Sequence, residues 1–291
     1  MFSGVFTALI TPFRGNTVDF DAFGKLIECQ CKHGVDGIVP CGTTGESPTL
    51  SYEEHEEVIA FCVKNAKGRV KVLAGTGSNS TDEAIHFTQF AKKAGCDGAL
   101  VVSPYYNKPT QNGLYLHFKS IADAADIPIV LYNIAGRTSV NIEPGTIAKL
   151  FNSCKNIVGV KEASGSLTQV SAIKSLVPDI ELFSGDDALT LPSLSVGGVG
   201  VVSVLSNIIP SEVVSLVGAF EKGNIREAIK IHYKLLPLVR MMFMETNPIP
   251  VKTAAFLLGM CQQDLRLPMC EMENTNKIKL QKALEDFGLL K

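Results

Sequence analysis

Residues 157–165 read I-V-G-V-K-E-A-S-G, and this stretch indicates a buried strand that ends in a charged side chain. Its first four residues are apolar or small, as is typical of a strand covered on both faces. A charged side chain at the end of such a strand, here Lys161, must reach a cavity, a partner or solvent. Because side chains alternate along a strand, we expect Ile157 and Gly159 on the lysine's face and Val158 on the other, with Gly159 leaving space beneath the lysine.

A lysine in a partly apolar pocket can act as a nucleophile. Desolvation disfavours the charged ammonium, and a neutral amine can attack a carbonyl to form a Schiff base. The alternative is a strand-end lysine that simply meets solvent, which is the commoner situation. Residues 157–165 alone favour this alternative, so the assignment depends on the rest of the chain.

The composition limits the class of protein. The 291 residues are 46% hydrophobic and 19% charged, which suits one α/β barrel or two ordinary domains. The net charge of -2, without a basic run, argues against nucleic acid or an anionic membrane as a partner. No stretch approaches the ~20 apolar residues that span a bilayer. The apolar start lacks a basic region and a cleavage site, so we expect a first strand, not a signal peptide, and a cytoplasmic protein.

The cysteines and histidines do not indicate a metal site. The eight cysteines are scattered and are expected to be reduced thiols, most of them in the core. Cys29 and Cys31 would diverge on a helix, and the five histidines show no ligand spacing. We therefore expect neither a metal nor a cofactor.

Strand and helix patterns alternate along the chain. The candidate strands are residues 5–10, 37–40, 70–74, 99–102, 129–132, 157–161, 180–183 and 200–204. Amphipathic helices are predicted at residues 52–65, 81–93, 113–125, 144–153 and 167–177. Alternation of this kind implies parallel pairing, and eight units predict a (β/α)8 TIM barrel. We expect the catalytic barrel over residues 1–223 and a helical region over 224–291, packed beside the barrel or against a partner chain.

In such a barrel the catalytic residues lie at the carboxyl ends of the strands, so we analysed those positions first. Residues 41–47 read C-G-T-T-G-E-S, a loop of exposed N–H groups and hydroxyls that suits a carboxylate or phosphate. The alternative is a capped turn, with Thr49 or Ser51 starting the next helix. Residues 184–187 read S-G-D-D, where we favour Asp186 or Asp187 as a helix cap.

Tyrosines cluster at two further strand ends. Tyr105 and Tyr106 lie in S-P-Y-Y-N-K-P and Tyr132 lies in L-Y-N-I-A-G-R-T, so these ends hold three of the six tyrosines. Tyrosine hydroxyls can relay protons, although tyrosines also favour half-buried strand ends for packing reasons. Arg137 offers a fork for a substrate carboxylate, or it is an ordinary surface charge.

Together these strand ends closely resemble the dihydrodipicolinate synthase family of pyruvate-dependent class I aldolases, which includes N-acetylneuraminate lyase. The similarity covers nearly the whole chain. The matching motifs are A-L-I-T-P-F, G-T-T-G-E-S, S-P-Y-Y-N-K-P, L-Y-N-x-x-x-R-T, V-K-E-A-S-G, S-G-D-D, G-V-V-S-V, N-P-I-P-V-K and L-R-L-P-M. Each is weak alone, but their order is highly specific.

The resemblance implies a catalytic set. Lys161 stands at the position of the Schiff-base lysine, and Tyr132 at that of the tyrosine that moves protons to and from the imine. Thr43 corresponds to the threonine that links this tyrosine to a second one. Tyr106 corresponds to that second tyrosine, which in the family reaches in from a neighbouring subunit.

The resemblance also implies substrate-binding residues. Thr44, Gly185 and the backbone of Val202 correspond to positions around the bound pyruvate. Arg137 corresponds to the arginine that binds the carboxylate of L-aspartate 4-semialdehyde. The chain departs from the family at residues 135–136, which are Ala-Gly where a proline and then serine or glycine are usual. Loss of the proline loosens the backbone before the arginine.

The implied function is a Schiff-base-forming lyase that condenses pyruvate with L-aspartate 4-semialdehyde in lysine and diaminopimelate biosynthesis. The expected assembly is a homotetramer made of two dimers. The alternatives are a sugar-acid aldolase such as N-acetylneuraminate lyase, against which Arg137 followed by Thr138 argues, and a non-catalytic barrel. In lysine-sensitive relatives an inhibitory pocket uses positions that correspond to Ser47, Tyr52, His55, Asn79, Glu83 and Tyr105.

Overall fold

A computed structural model describes residues 2–290 and confirms the predicted barrel. Eight parallel strands close on themselves, and the last strand pairs with the first. The barrel strands are Gly4–Ala8, Gly37–Val39, Lys71–Gly75, Gly98–Val102, Ile129–Asn133, Ile157–Glu162, Glu181–Ser184 and Gly200–Ser203. Each overlaps a strand predicted from the sequence.

Helices follow the strands and cover the outside of the barrel. They are Phe20–Lys32, Tyr52–Ala66, Thr81–Ala94, Gln111–Ala124, Ala135–Thr138, Pro144–Ser153, Leu167–Leu176, Thr190–Ser195 and Pro210–Glu221. The five predicted helices are present, with ends that differ from the prediction by at most two residues. Ser51, not Thr49, caps the helix Tyr52–Ala66, because its hydroxyl accepts from the Glu54 amide while the Glu54 carboxylate accepts from the Ser51 amide.

Three further helices form the C-terminal region: Ile225–Met242, Ile249–Leu257 and Asn274–Asp286. Ile225–Met242 and Ile249–Leu257 pack against elements of the barrel, with Ile225–Met242 lying along Pro210–Glu221, and Asn274–Asp286 packs on these two helices. Within residues 2–290, no helix is long and apolar enough to cross a membrane. A short hairpin of Phe13–Arg14 and Thr17–Val18, not predicted from the sequence, follows the first barrel strand.

Two separate apolar clusters stabilise the barrel. The larger lies between the strands and the surrounding helices. The smaller fills the barrel interior, where Phe2, Phe6 and Phe183 stack edge to face with centroids 5.9 and 5.4 Å apart. Such edge-to-face contacts are a favourable arrangement for aromatic rings, so the interior is a packed core and not a pore.

The alternation predicted for the strand Ile157–Glu162 is confirmed from Gly159 to Lys161 but is wrong at Ile157 and Val158, where a bulge interrupts it. The pairing with the preceding strand skips Val158, so that Val158 packs against the interior cluster while Ile157 belongs to the outer one. Gly159 does not leave space beneath Lys161 either. A Cβ atom on Gly159 would lie 2.6 Å from the carbonyl oxygen of Glu181, so the neighbouring strand occupies that position.

Candidate active site

Lys161 and Tyr132 face each other across two neighbouring strands at the carboxyl end of the barrel. Tyr132 is the register partner of Lys161, and both side chains are buried. The lysine Nζ lies 4.1 Å from the centroid of the tyrosine ring. A phenol and an amine held this close in a largely apolar interior can exchange protons with one reacting group.

Gly185 provides the space that Lys161 needs. A Cβ atom on Gly185 would lie 2.9 Å from the Cε atom of Lys161 and 2.6 Å from the Cβ atom of Ala163. Any larger residue would therefore push the lysine stem aside. The sequence analysis assigned this role to Gly159, whereas the structure assigns it to Gly185. Gly185 follows the strand that contains Phe183, the residue paired in register with Lys161.

The loop of residues 42–49, called here the threonine loop, is tightly folded. The Glu46 amide donates to the Thr43 carbonyl at 3.1 Å, and the Thr11 hydroxyl donates to the Gly45 carbonyl at 2.7 Å. Thr44 is buried, and its Oγ1 accepts a hydrogen bond from Nδ2 of Asn247 at 3.0 Å. The loop therefore presents its threonine side chains from a constrained backbone.

A cavity of about 210 Å³ lies at this end of the barrel. Its lining includes Thr43, Ser47, Tyr105, Tyr132 and Arg137, five residues that the sequence analysis selected. This volume suits a small organic acid more than a large ligand.

Five of the eight predicted catalytic and substrate-binding residues lie outside the cavity lining: Lys161, Tyr106, Thr44, Gly185 and Val202. Lys161 lies against the ring of Tyr132, which does line the cavity, and Val202 belongs to the interior cluster. Lys161, Gly185 and Val202 therefore lie at the base of the site, whereas Thr44 is buried in the loop beside it.

Arg137 reaches the barrel mouth although the preceding residues depart from the family pattern. Residues Ala135–Thr138 form a short helical turn, and Nη2 of Arg137 donates to the carbonyl of Asn247 at 3.0 Å. The guanidinium lines both the main cavity and an adjoining one of about 120 Å³. The missing proline therefore does not remove the arginine from the site.

Tyr106 lies apart from the other predicted catalytic residues. Its side chain is 89% exposed, and its φ angle of 74° is in the left-handed region. A non-glycine residue held in this conformation is uncommon and is often found at functional sites. The exposed ring is available to another chain, and its catalytic role stays a prediction.

The predicted regulatory residues form a group beside the cavity. His55 is buried, its Nε2 lies 2.8 Å from the Gly75 carbonyl, and burial lowers its pKa. Tyr52 is half exposed, and desolvation, followed by the charge of Glu83, raises the pKa of its phenol.

Asn79 and Glu83 connect this group to the loop that carries the tyrosine pair. The side chain of Asn79 donates to the Tyr105 carbonyl at 3.2 Å. The Glu83 carboxylate accepts from the hydroxyl of Ser78 at 2.5 Å. The structure thus brings the group together beside Tyr105, and whether it binds an effector stays a prediction.

The two aspartates after the seventh barrel strand are structural. Asp186 caps a short 3-10 helix by accepting from the Ala188 amide at 2.8 Å, as predicted. Asp187 is buried, and it accepts from the Ser203 hydroxyl at 2.5 Å and from the Val204 amide at 2.9 Å. Burial raises the pKa of Asp187 despite these donors.

The sequence analysis missed polar residues that support the site. Glu162 lies behind Lys161, and its carboxylate accepts from Asn133 at 3.0 Å and from Gln169 at 2.8 Å. Since Asn133 follows Tyr132, this bond joins the two strands behind the lysine and the tyrosine. Alternation along the strands could have placed these residues on the outer face, but no sequence pattern pairs them.

The protein also contains a buried charged pair whose two residues are far apart in the sequence. Nζ of Lys252 lies 2.6 Å from Oε1 of Glu46, and both side chains are almost completely buried. The motifs G-E-S and N-P-I-P-V-K contained both residues, but nothing in the sequence relates two positions 206 residues apart. Among residues 2–290, no group of His, Cys, Asp and Glu is arranged to hold a metal ion.

Comparisons with known proteins agree with this geometry. A sequence profile of the Dihydrodipicolinate synthetase family matches residues 1–287. The chain is 79% identical over its full length to the 4-hydroxy-tetrahydrodipicolinate synthase of Endomicrobium trichonymphae, of which it also covers 100%.

Solved structures give the same result. The crystal structure of dihydrodipicolinate synthase from Aquifex aeolicus superposes with a TM-score of 0.98 at 52% identity, with 99% of each chain covered. The enzyme from Cyanidioschyzon merolae, crystallised with lysine bound, superposes with a TM-score of 0.96 at 45% identity, again with 99% of each chain covered.

Proposed function

The chain belongs to the dihydrodipicolinate synthetase family, and we propose that it condenses pyruvate with L-aspartate 4-semialdehyde through an imine on Lys161. One observation carries this proposal: the buried Lys161 amine lies 4.1 Å from the Tyr132 ring at the carboxyl end of a barrel. An amine in this setting is suited to attack a ketone, and a phenol beside it is suited to move the protons.

The reaction follows from this pair. The neutral amine of Lys161 attacks the ketone carbon of pyruvate, and loss of water leaves an imine. Removal of a proton from carbon three gives an enamine, whose carbon adds to the aldehyde of the second substrate. The amino group of that substrate then closes the ring onto the former ketone carbon and releases the lysine.

Each of the other site residues has one proposed role. Thr43 connects Tyr132 to Tyr106 of a neighbouring subunit, which together move the protons. The Thr44 hydroxyl, the Gly185 position and the Val202 backbone hold the pyruvate-derived group.

Arg137 binds the carboxylate of the semialdehyde, for which its planar fork is suited. The product is a cyclic precursor of diaminopimelate and lysine. We place the enzyme in the cytoplasm, a location that cell fractionation would check.

An activity assay tests the proposal. Enzyme is supplied with pyruvate and either L-aspartate 4-semialdehyde or N-acetylmannosamine, and consumption of pyruvate is followed. We expect turnover with the semialdehyde and none with the amino sugar. Turnover only with the amino sugar would identify a sugar-acid aldolase, and turnover with neither would favour a non-catalytic barrel.

We propose that the active unit is a dimer and that two dimers form a tetramer. The support is Tyr106, an exposed aromatic beside Tyr105 on a loop at the barrel mouth, because exposed aromatic residues often anchor interfaces. Analytical ultracentrifugation at the assay concentration checks this assembly. A fully active monomer would contradict the role of Tyr106.

We also propose that L-lysine inhibits the enzyme beside Tyr105. The carboxylate of Glu83 can pair with an ammonium group, and Asn79 already contacts the Tyr105 backbone, so binding there can shift the tyrosine loop. L-lysine titrations at fixed pyruvate should show inhibition of the wild type and weaker inhibition of Glu83→Ala. Unchanged inhibition in the variant would remove this site from the account.

A further inference from the structure

We infer that Lys252 is a positioning residue, which fixes the threonine loop from the C-terminal region through a buried ion pair with Glu46. This inference rests on the proposed function, because it assigns a purpose to the geometry of Thr43 and Thr44. It also means that the C-terminal region helps to position active-site residues, since Lys252 lies in the helix Ile249–Leu257.

The pair is completely enclosed. Nζ of Lys252 donates to Oε1 of Glu46 at 2.6 Å, and the two side chains are 0% and 1% exposed. The ammonium also lies 4.2 Å from the centroid of the Phe13 ring. Burial lowers the pKa of Lys252, whereas the charge of Glu46 acts in the opposite direction.

A buried ion pair is a poor means of gaining stability. Removing two charges from water costs about as much as their attraction returns, and apolar residues of the same size often serve as well. The Lys252–Glu46 pair is therefore better explained by the conformation that it imposes on the threonine loop than by a gain in stability.

Glu46 links the ion pair to Thr43, because its own backbone is hydrogen-bonded to that threonine. Its backbone has φ of 55°, a left-handed conformation that a non-glycine residue adopts only when its surroundings hold it. The amide of this same residue donates to the carbonyl of Thr43 at 3.1 Å. The second carboxylate oxygen of Glu46 accepts from the Arg266 amide at 3.0 Å, so both oxygens are tied to the C-terminal region.

A second contact from the same region supports the loop. Asn247 donates from Nδ2 to the Thr44 hydroxyl at 3.0 Å, and its carbonyl accepts from Arg137 at 3.0 Å. Thr44, proposed to hold pyruvate, and Arg137, proposed to bind the semialdehyde, therefore both hydrogen-bond Asn247. Lys252 follows Asn247 closely in the sequence. Loss of the ion pair should disturb Thr43 and Thr44 more than Arg137, whose hydrogen bond goes to the backbone of Asn247.

The test uses three variants of the full-length enzyme: Lys252→Met, Glu46→Gln and the double variant. Each single change leaves a buried charge without its opposite charge, so we expect both to lower the melting temperature. The double variant removes both charges and should recover most of that loss. Lys282→Met is the matched control, because Lys282 pairs with Asp286 on the surface of the same region.

Kinetics then separate positioning from packing. In the double variant we expect kcat to stay about a hundredfold below wild type, the size of effect that a displacement of about 1 Å produces at an active site. The KM for pyruvate should rise while the KM for the semialdehyde changes little. A double variant that regains wild-type kcat and KM together with its melting temperature would overturn the inference.

The same experiment keeps this inference separate from the proposed function. Wild-type enzyme that forms no product from pyruvate and the semialdehyde contradicts the function itself. Active wild type with an unaffected double variant contradicts only the role of Lys252. Lys282→Met should match wild type in all these measurements.

Discussion

The two ends of the barrel interior are built from the same strands but serve different purposes. From the amino end up to Phe183, which is the register partner of Lys161, Phe2, Phe6 and Phe183 fill the interior by edge-to-face packing. At the carboxyl end, the interior gives way to a cavity of about 210 Å³ that is lined by Tyr132, whose ring lies against Lys161. The aromatic floor gains stability by excluding water, whereas the mouth leaves space that a substrate can occupy.

The difference shows how the mouth can remain open. The floor is supported by its own packing and needs nothing beyond the strands. The mouth surrounds a cavity, and acidic residues near it are held by polar contacts: Glu162 accepts from Asn133 of the neighbouring strand and from Gln169 of an outer helix, and Glu46 accepts from Lys252 of the C-terminal region. Changes at the mouth should therefore alter activity, and changes in the floor should alter stability.

The largest expected effect is at the mouth. Tyr132→Phe removes only the hydroxyl that is proposed to move protons, so kcat should fall about 10²–10⁴-fold. The ring remains, so the free energy of unfolding in urea should change by no more than about 1 kcal/mol. Steady-state kinetics and urea titration of the same preparation measure both. A variant that is fully active but unstable would reverse the comparison.

The next effect is in the floor. Phe6 is completely buried and contacts both Phe2 and Phe183, so Phe6→Ala should lower the free energy of unfolding by about 3–5 kcal/mol. The kcat per folded molecule should stay at the wild-type value, measured well below the melting temperature. A kcat that falls in step with stability would show that the floor and the mouth are coupled.

Arg137→Ala tests whether the mouth has separate places for its two substrates. Loss of the guanidinium should lower kcat/KM for the semialdehyde by an amount equivalent to about 2–5 kcal/mol. The KM for pyruvate should change little, since the arginine is proposed to bind only the second carboxylate. Equal losses for the two substrates would mean that Arg137 is structural, through its bond to Asn247.

The smallest expected effect lies at the boundary between the two ends. In Gly185→Ala the added methyl group would meet the Cε atom of Lys161 at 2.9 Å, so the lysine stem has to move. Overpacking of this kind costs about 1–3 kcal/mol of stability. Formation of the pyruvate imine should also slow, as rapid-mixing experiments can measure. The matched change Gly145→Ala, at a helical position with open space, should not lower stability and should leave imine formation unchanged.

The sequence predicted the barrel well because the relevant signals are local. Short apolar runs alternate with amphipathic helices, and every barrel strand overlaps a predicted one. Thr43, Tyr132 and Arg137 were found because strand ends in this fold converge on one face. Each of them lines the cavity.

The errors and omissions involve contacts between distant residues. The bulge at Val158 depends on how two strands pair, and the choice of Gly185 over Gly159 depends on which strand the lysine stem crosses. The bond between Lys252 and Glu46 joins the C-terminal region to the second barrel strand's loop. Periodicity cannot reveal such pairs, because it describes only which face of an element a residue occupies.

The central claim, that Lys161 forms an imine with pyruvate, can be measured directly. Enzyme is incubated with pyruvate and reduced with borohydride, and the modified residue is identified by peptide mass mapping. We expect one three-carbon adduct, on Lys161, that is absent without pyruvate and absent in Lys161→Ala. An adduct on a different lysine, or none in an enzyme that still condenses its two substrates, would contradict the account.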